Sequence, residues 1–402
     1  MKRLRIAVLC KINTGAPWIL LEAQEMRRRG HEVVVILPPG NGRLSLALAA
    51  DGFEVVEAPF DFTFRPNVAT VRGLWRLRRL VQRLRVDVLH YHFHATALAA
   101  RLATIGLPLA RVYTSAGPLY LESRTICQVE RVLWRLDDVT LCSTADISRR
   151  YGQLGCPEHR RPIAHFGIDL DRFTPTWLAA GHTAGSPGWA VQRAKARAEI
   201  GIDEDAFVAV MVSYVYAPKR LVDRSQGHKG HELLLAAWRS FHARHPQSHL
   251  LLVGAGWTEV GEKHRQKLLD RFDVAADPSI TWAESVLDVR QYYGAADVSL
   301  SPSLSEAHGA AREAGAMGIP SIVSDAGGLP ETVDERSGWV VPRGDVAALE
   351  AALETAYQEF TTGRLTERGG HARRRAAHLF DGQVTVAQVV DILEYAAEGV
   401  DR

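Results

Sequence analysis

The 402-residue sequence has no apolar stretch approaching ~18 residues, and its four cysteines (Cys10, Cys127, Cys142, Cys156) stand far apart without a CxxC pair. The first absence argues against a membrane-spanning helix, the second against a disulfide framework or a zinc ribbon. After Met1-Lys2-Arg3 the apolar run Ile6 to Cys10 is too short for a signal peptide, so a cytoplasmic protein is expected. Excess charge is also lacking. Lys plus Arg is 48 against 46 for Asp plus Glu, a formal charge of +2, which argues against nucleic-acid binding driven by charge. The remainder is ordinary globular composition, 47% hydrophobic and 23% charged with 33 Gly and 18 Pro, so collagen-like and disordered readings drop out. At ~100–200 residues per domain the length fits two or three domains.

What is present is one rhythm played twice. An apolar run at Leu4 to Cys10 leads through a Gly-containing turn to a helical stretch that Pro17 starts and Gly30 stops, and a second run follows at Glu32 to Leu37. Strand, turn, helix, strand is a βαβ unit and implies a parallel sheet. Runs at 87–91, 111–114 and 139–143 continue it. The second half restarts at 206–212 and continues at 249–254, 279–282, 298–301 and 320–324, with a helix at 231–242. Residues 174–200, with Pro175, Gly181, Gly185, Pro187 and Gly188, break the rhythm and read as a connection. The predicted fold class is therefore α/β, two doubly wound Rossmann-like domains facing across a cleft. The expected boundaries are 1–173, a connection at 174–205, a second domain at 206–375 and a terminal helix at 376–402 that packs back on the first domain. In such sheets ligands bind beyond the carboxyl ends of the strands.

Two segments there carry chemistry. Residues 301–345 read as strand, turn, short helix, strand and Gly-Gly turn, with Glu306 in the turn, Gly309-Ala310-Ala311 at the helix start and Glu313 inside it. Free backbone N–H groups at a helix start suit an anion, small residues admit a ligand closely, and a carboxylate accepts both hydroxyls of a diol. Without a ligand the same pattern is a surface helix with two solvated glutamates. Upstream, a strand runs into a loop bearing Lys219, Arg220, Arg224 and Lys229 with Asp223 as its lone acid, suited to a diphosphate or else simply solvated. The loop at 253–261 has Gly254, Gly256 and Gly261, which do not make a dinucleotide fingerprint.

Together with RRRGHEVVVI (27–36), DVLHYH (87–92), FGIDLDRF (166–173), HKGHELLLAAW (228–238), LLLVGAG (250–256) and the closing GWVVPRGD, these segments resemble the retaining GT-B glycosyltransferases of family 4 over nearly the whole chain. The resemblance implies a sugar-nucleotide-dependent transferase. In it Lys229 and Arg224 hold the donor diphosphate, with Lys219 or Arg220 as substitutes because the loop looks long. Glu306 binds the transferred sugar and Glu313 the ribose, while Gly309, Ala310 and Ala311 present backbone amides. Gly15 approaches the diphosphate from the first domain. Neither cofactor nor metal is expected, since protein cations meet the leaving group.

The sequence departs from the family pattern twice. Six residues separate Glu306 and Glu313 where seven are usual, which bears on the sugar contact of Glu306. Ala116 stands before Gly117 where many members have a histidine, so that role is vacant or has moved to His92 or His94. On the acceptor side Tyr120 and Glu122 join these histidines as candidates. HYHFH (90–94) could set three imidazoles on one strand face as a metal site, but no carboxylate or thiol lies close in sequence, and a structural or substrate-contact reading is preferred. Asp169-Leu170-Asp171 reads as structural rather than as metal ligands. Arg72, Arg76, Arg79 and Arg83 form a stripe opposite Leu74, Leu77, Val81 and Leu84, either a solvated helix face or one that meets anionic lipid headgroups. The expected activity is transfer of a sugar, from UDP on family frequency, to an unidentified acceptor. A sugar-nucleotide 2-epimerase of the same architecture and a non-catalytic nucleotide-sugar-binding subunit are the alternatives.

Overall fold

The structure, a computed structural model, describes residues 2–62, 64, 67–219 and 225–400. The chain divides into two compact units, Met1–Gly167 with Gly382–Arg402, and Ile168–Asp381.

Unit 1 contains strands β1 (Arg5–Leu9), β2 (Glu32–Leu37), β3 (Glu54–Glu57), β4 (Val88–His92), β5 (Ala110–Ser115) and β6 (Val139–Cys142). They pair in parallel in the order β3-β2-β1-β4-β5-β6. Unit 2 contains β7 (Phe207–Val212), β8 (Ser248–Val253), β9 (Ile280–Ala283), β10 (Val298–Ser301), β11 (Ser321–Ser324) and β12 (Gly338–Val341), in the order β12-β11-β10-β7-β8-β9. Counted from its own first strand, unit 2 has the same order as unit 1, that of a doubly wound dinucleotide-type domain. Each sheet reverses direction beside its first strand, at β1/β4 and at β7/β10, and the loops leaving those strands open the crevice where such folds bind ligands.

The strands read clearly because both their faces are buried. On β1, Ile6 and Val8 face a core with Ile19, Ala23 and Met26 of the helix Trp18–Arg28 and Val390 and Leu393 of the helix Gly382–Val400. Ala7 and Leu9 face the opposite core with Leu77 and Val81 of the helix Val68–Leu84. In that helix the Asn67 side chain accepts the N–H of Thr70 at 3.0 Å, and Arg85 closes the far end in the left-handed region. The four-residue edge strands β3 and β12 escaped the sequence reading. The β3 sequence EVVE offers two apolar residues between two glutamates, too short an alternation to register.

Residues 174–205, expected as a connection, belong to unit 2 and include the helix Pro187–Ile200. Ser186 caps it by accepting the Trp189 N–H at 3.3 Å, Pro187 occupies the first turn, and Gly201 closes it in the left-handed region. Its Arg197 is buried against β7 and β10, donating to Asp297 at 2.7 Å and to the carbonyls of Ala295 and Ala206 at 3.0 and 2.8 Å.

Candidate functional site

In unit 2 the loops after β7 and β10 are fastened together. Leu304 N–H donates to the His228 carbonyl at 2.7 Å. Gly230 sits at φ +79° with the Pro302 carbonyl oxygen 2.1 Å from where a Cβ would stand, so only glycine permits this approach. The glycine pair Gly327-Gly328 reaches the same loop, Gly328 N–H donating to the Glu306 carbonyl at 3.1 Å.

These ties place Lys229 beside Glu306. The Lys229 Nζ donates to Glu306 Oε2, and Glu306 Oε1 accepts the Ala307 N–H at 3.0 Å. Burial works against the ammonium, but the Glu306 carboxylate outweighs it and holds the Lys229 pKa above its ordinary value. The ammonium also lies 5.8 Å from the centre of the Tyr216 ring, with Lys219 at 5.3 Å from that ring. Tyr216, four residues beyond the end of β7, is not singled out by the sequence. Arg220 and Arg224 lie outside the described residues.

Gly309 and Ala310, both partly exposed, follow Glu306 and lead into the short helix Ala311–Ala316. Gly309 has φ +50°, and a Cβ there would stand 3.2 Å from the Glu306 carboxylate. Ala311 is buried under the turn. The hydroxyl of Tyr293, in the helix Arg290–Ala295, lies 3.4 Å from Glu313 Oε2 and 3.3 Å from the Ala310 carbonyl. Burial raises the Glu313 pKa, opposed by the Arg312 cation and the Tyr293 hydroxyl. Lys229, Glu306, Gly309, Ala310 and Glu313 are thus brought together around the crevice of unit 2.

Unit 1 gathers a second group at its own switch point. His94 begins the helix His94–Thr104 after β4 and stacks on Tyr120 with ring centres 5.3 Å apart. Lys11, from the loop after β1, lies 5.7 Å from the Tyr120 ring and 5.6 Å from Phe93. Phe93 holds φ +71°, a strained conformation for a residue with a Cβ, directly before His94. Burial lowers the His94 pKa, with Glu130 opposing, so its imidazole is kept neutral. Glu122 faces Arg150 at 3.8 Å. Gly15 lies in the same β1 loop, which precedes the helix Trp18–Arg28. Lys11 and Phe93 were not legible as site residues, since one cation and one aromatic carry no motif. His92 is fully buried beneath that helix and presents no surface to a substrate, which corrects its candidacy as a substrate contact. Asp169 Oδ1 accepts the N–H groups of Asp171 and Arg172 at 3.1 and 3.0 Å, the work of a turn.

Residues 18–172 match the family described as Glycosyltransferase Family 4, and residues 220–359 match Glycosyl transferases group 1. The chain is 27% identical over 354 residues to the GDP-mannose-dependent alpha-(1-6)-phosphatidylinositol monomannoside mannosyltransferase of Mycolicibacterium smegmatis, covering 81% of each protein. It is 30% identical over 290 residues to D-inositol 3-phosphate glycosyltransferase 2 of Catenulispora acidiphila, covering 69% of this chain and 58% of that one. Among solved structures, Anabaena HepE in complex with UDP superposes with a TM-score of 0.76 at 18% identity, over 98% of this chain and 100% of that one, a likeness of fold. Two family matches laid along two doubly wound units, each with its polar residues at the switch point, make this chain a member of the group 1, family 4 glycosyltransferases of GT-B fold.

Proposed function

We propose that the enzyme transfers a sugar from a UDP-sugar to its acceptor with retention at the anomeric carbon, and that the donor occupies the β7/β10 crevice of unit 2. The observation that carries this reading is the Lys229–Glu306 pair beside Gly309 and Ala310, with Glu313 one helical turn beyond. When the glycosidic bond to phosphate breaks, negative charge arrives on the diphosphate oxygens. A preorganised ammonium there is worth about 10²–10³ in rate. Glu306, freed from Lys229 as the diphosphate engages that cation, turns to the sugar hydroxyls. Glu313 accepts the ribose diol, and the Gly309 and Ala310 backbone meets the phosphates. Charge on the leaving group is met by protein cations, so the reading assigns no metal to this step. The solved neighbours with UDP and UDP-glucose favour the uracil base, while the mycobacterial relative is named for GDP-mannose. A thermal-shift panel of UDP-, GDP- and TDP-sugars tests the donor, since a ligand that binds only the folded state raises its melting temperature. The anomeric configuration of the product, read by NMR, tests retention. Donor alone yielding the 2-epimer would replace transfer by epimerisation.

On the acceptor side, we assign Lys11, His94 and Tyr120 of unit 1 to contacts with the incoming hydroxyl-bearing molecule. The helix Val68–Leu84 completes the reading. Arg72, Arg76, Arg79 and Arg83 are exposed on it together with Trp75, Val71 and Val68, and its sequence contains no acid. Basic side chains around an exposed tryptophan suit an anionic membrane surface, where the enzyme would meet a lipid-linked acceptor. Among the described residues no helix is long and apolar enough to cross a membrane.

A further inference from the structure

Beneath the helix Trp18–Arg28, three polar side chains meet inside the core of unit 1. Glu22 comes from that helix and His90 and His92 from β4, all of them buried. Glu22 Oε2 lies 3.5 Å from His92 Nε2 and 3.8 Å from His90 Nδ1. The three atoms fall within 4.8 Å of one another, and among the described residues none of them has a hydrogen-bond partner. These separations are too long for hydrogen bonds. Left so, three desolvated polar atoms face one another unpaired, at a cost of about 1–3 kcal/mol each. Ligands about 2.0–2.1 Å from a tetrahedral zinc ion stand roughly 3.3–3.4 Å apart, close to the observed spacings.

We propose that Glu22, His90 and His92 form a divalent transition-metal site, of zinc type, that ties the helix Trp18–Arg28 to β4 inside unit 1. Two imidazoles and one carboxylate are a donor set that zinc accepts, with a fourth position left for solvent or a further protein donor. The outer nitrogen of His90, Nε2, lies 2.7 Å from Thr114 Oγ1 on β5, the kind of partner that fixes a ligating imidazole. The parallel register pairs Leu9 with Tyr91, so Cys10 is the β1 neighbour of His92, and its buried thiol feels the Glu22 charge. Burial presses Glu22 toward the neutral acid and both histidines toward neutral imidazole; a cation reverses the first and uses the second. Trp18 Nε1 stands 3.4 Å from His92 Nδ1. That nitrogen carries the ring proton once Nε2 ligates, so loading gives up this long contact. The carboxylate that HYHFH lacks in its own sequence neighbourhood is supplied by the fold. The site is distinct from the diphosphate crevice of unit 2, and its role is to hold β4, whose end sets Phe93 and His94.

The test uses the full chain, stripped with a strong chelator and then dialysed against zinc sulfate, with metal content measured by mass spectrometry. One zinc per chain is expected, with a raised melting temperature, and with cobalt(II) in its place the visible absorption of a tetrahedral centre. Glu22→Gln and His92→Gln should each bring the zinc content toward zero. Because buried substitutions can prevent folding, X-ray absorption at the zinc edge of the wild-type chain gives an independent reading, a shell of about two imidazoles with oxygen at ~2.0–2.1 Å. A stripped chain that melts cooperatively but takes up neither ion overturns the site. So does a loaded chain whose zinc shell contains no histidine, or full zinc content in the folded variants.

Discussion

Lys229 and Glu306, 77 positions apart in sequence, form an ion pair with their side chains 18% and 15% exposed. The pair exists because Gly230 lets its loop rest on Pro302 and because His228 and Leu304 share a backbone hydrogen bond. Each group holds the other in place, and on the proposed reading a diphosphate competes with Glu306 for the ammonium.

Lys229→Ala should therefore lower kcat by about two to three orders of magnitude, the loss of one charge stabiliser in a transition state. It also leaves the Glu306 carboxylate without its cation. Steady-state rates with the donor, beside a thermal melt to establish folding, check this. Near-normal turnover in a folded Lys229→Ala protein would remove the residue from the diphosphate site.

Nucleotide binding should weaken on acidification at a higher pH than an ordinary carboxylate would set. Burial raises the Glu313 pKa, and a ribose diol needs the ionised form. As pH falls below the raised pKa, the free protein takes up a proton that binding must expel. Affinity then drops about tenfold per pH unit. Tyr293→Phe removes the hydroxyl that opposes the rise and should move this limb to higher pH. Calorimetric titrations of UDP across pH 4–8 (about that range, spanning ordinary and raised carboxyl values) read both effects.

How much of this was legible in the sequence differs from residue to residue. β1, β2 and β7 read directly, since strands buried on both faces appear as nearly unbroken apolar runs. The helix Pro187–Ile200 was obscured by Gly181, Gly185 and Gly188, although Ser186-Pro187 and Gly201 are the punctuation of a capped helix. Lys229, Glu306 and Glu313 stand out in the sequence through the family resemblance, and the fold brings Lys229 and Glu306 together. Tyr216 and Lys11 were missed, because what brings them to their sites is the switch in strand order, which no local pattern encodes. The same is true of Glu22, which meets His90 and His92 only when its helix is laid on the sheet. His92 and His94 looked equivalent in HYHFH, yet the chain leaves the strand at Phe93 and sends one ring into the core and the other to the site.

Liposomes containing anionic phospholipid should retain the protein at low salt and release it as ionic strength rises, because exposed charges are screened within about 10 Å at 0.1 M. Replacing Arg72, Arg76 and Arg79 by Gln should abolish co-sedimentation, and Trp75→Ala should weaken it. Equal retention of the triple variant would return this face to the role of a solvated surface.

Brief exposure to EDTA should leave transfer intact if, as proposed, Lys229 rather than a bound ion meets the diphosphate. Zinc lost from the site proposed beneath the helix Trp18–Arg28 would be restored by zinc alone. Activity lost to EDTA and regained with Mg²⁺ or Mn²⁺ but not Zn²⁺ would instead bring Asp169 and Asp171 back as ligands.

Calorimetry with free UDP on the wild-type enzyme and two variants tests the division of labour between Glu306 and Glu313 most directly. Glu313→Gln should weaken UDP binding by at least about tenfold, the loss of a charged hydrogen bond worth about 1.5–3 kcal/mol. Glu306→Gln should not weaken UDP binding, since it removes the carboxylate that competes with the diphosphate for Lys229, while initial rates with the donor fall because its partner in turnover is the sugar. Equal loss of UDP affinity in both variants, or no binding of UDP by the wild-type enzyme, would contradict the placement of the donor in this crevice.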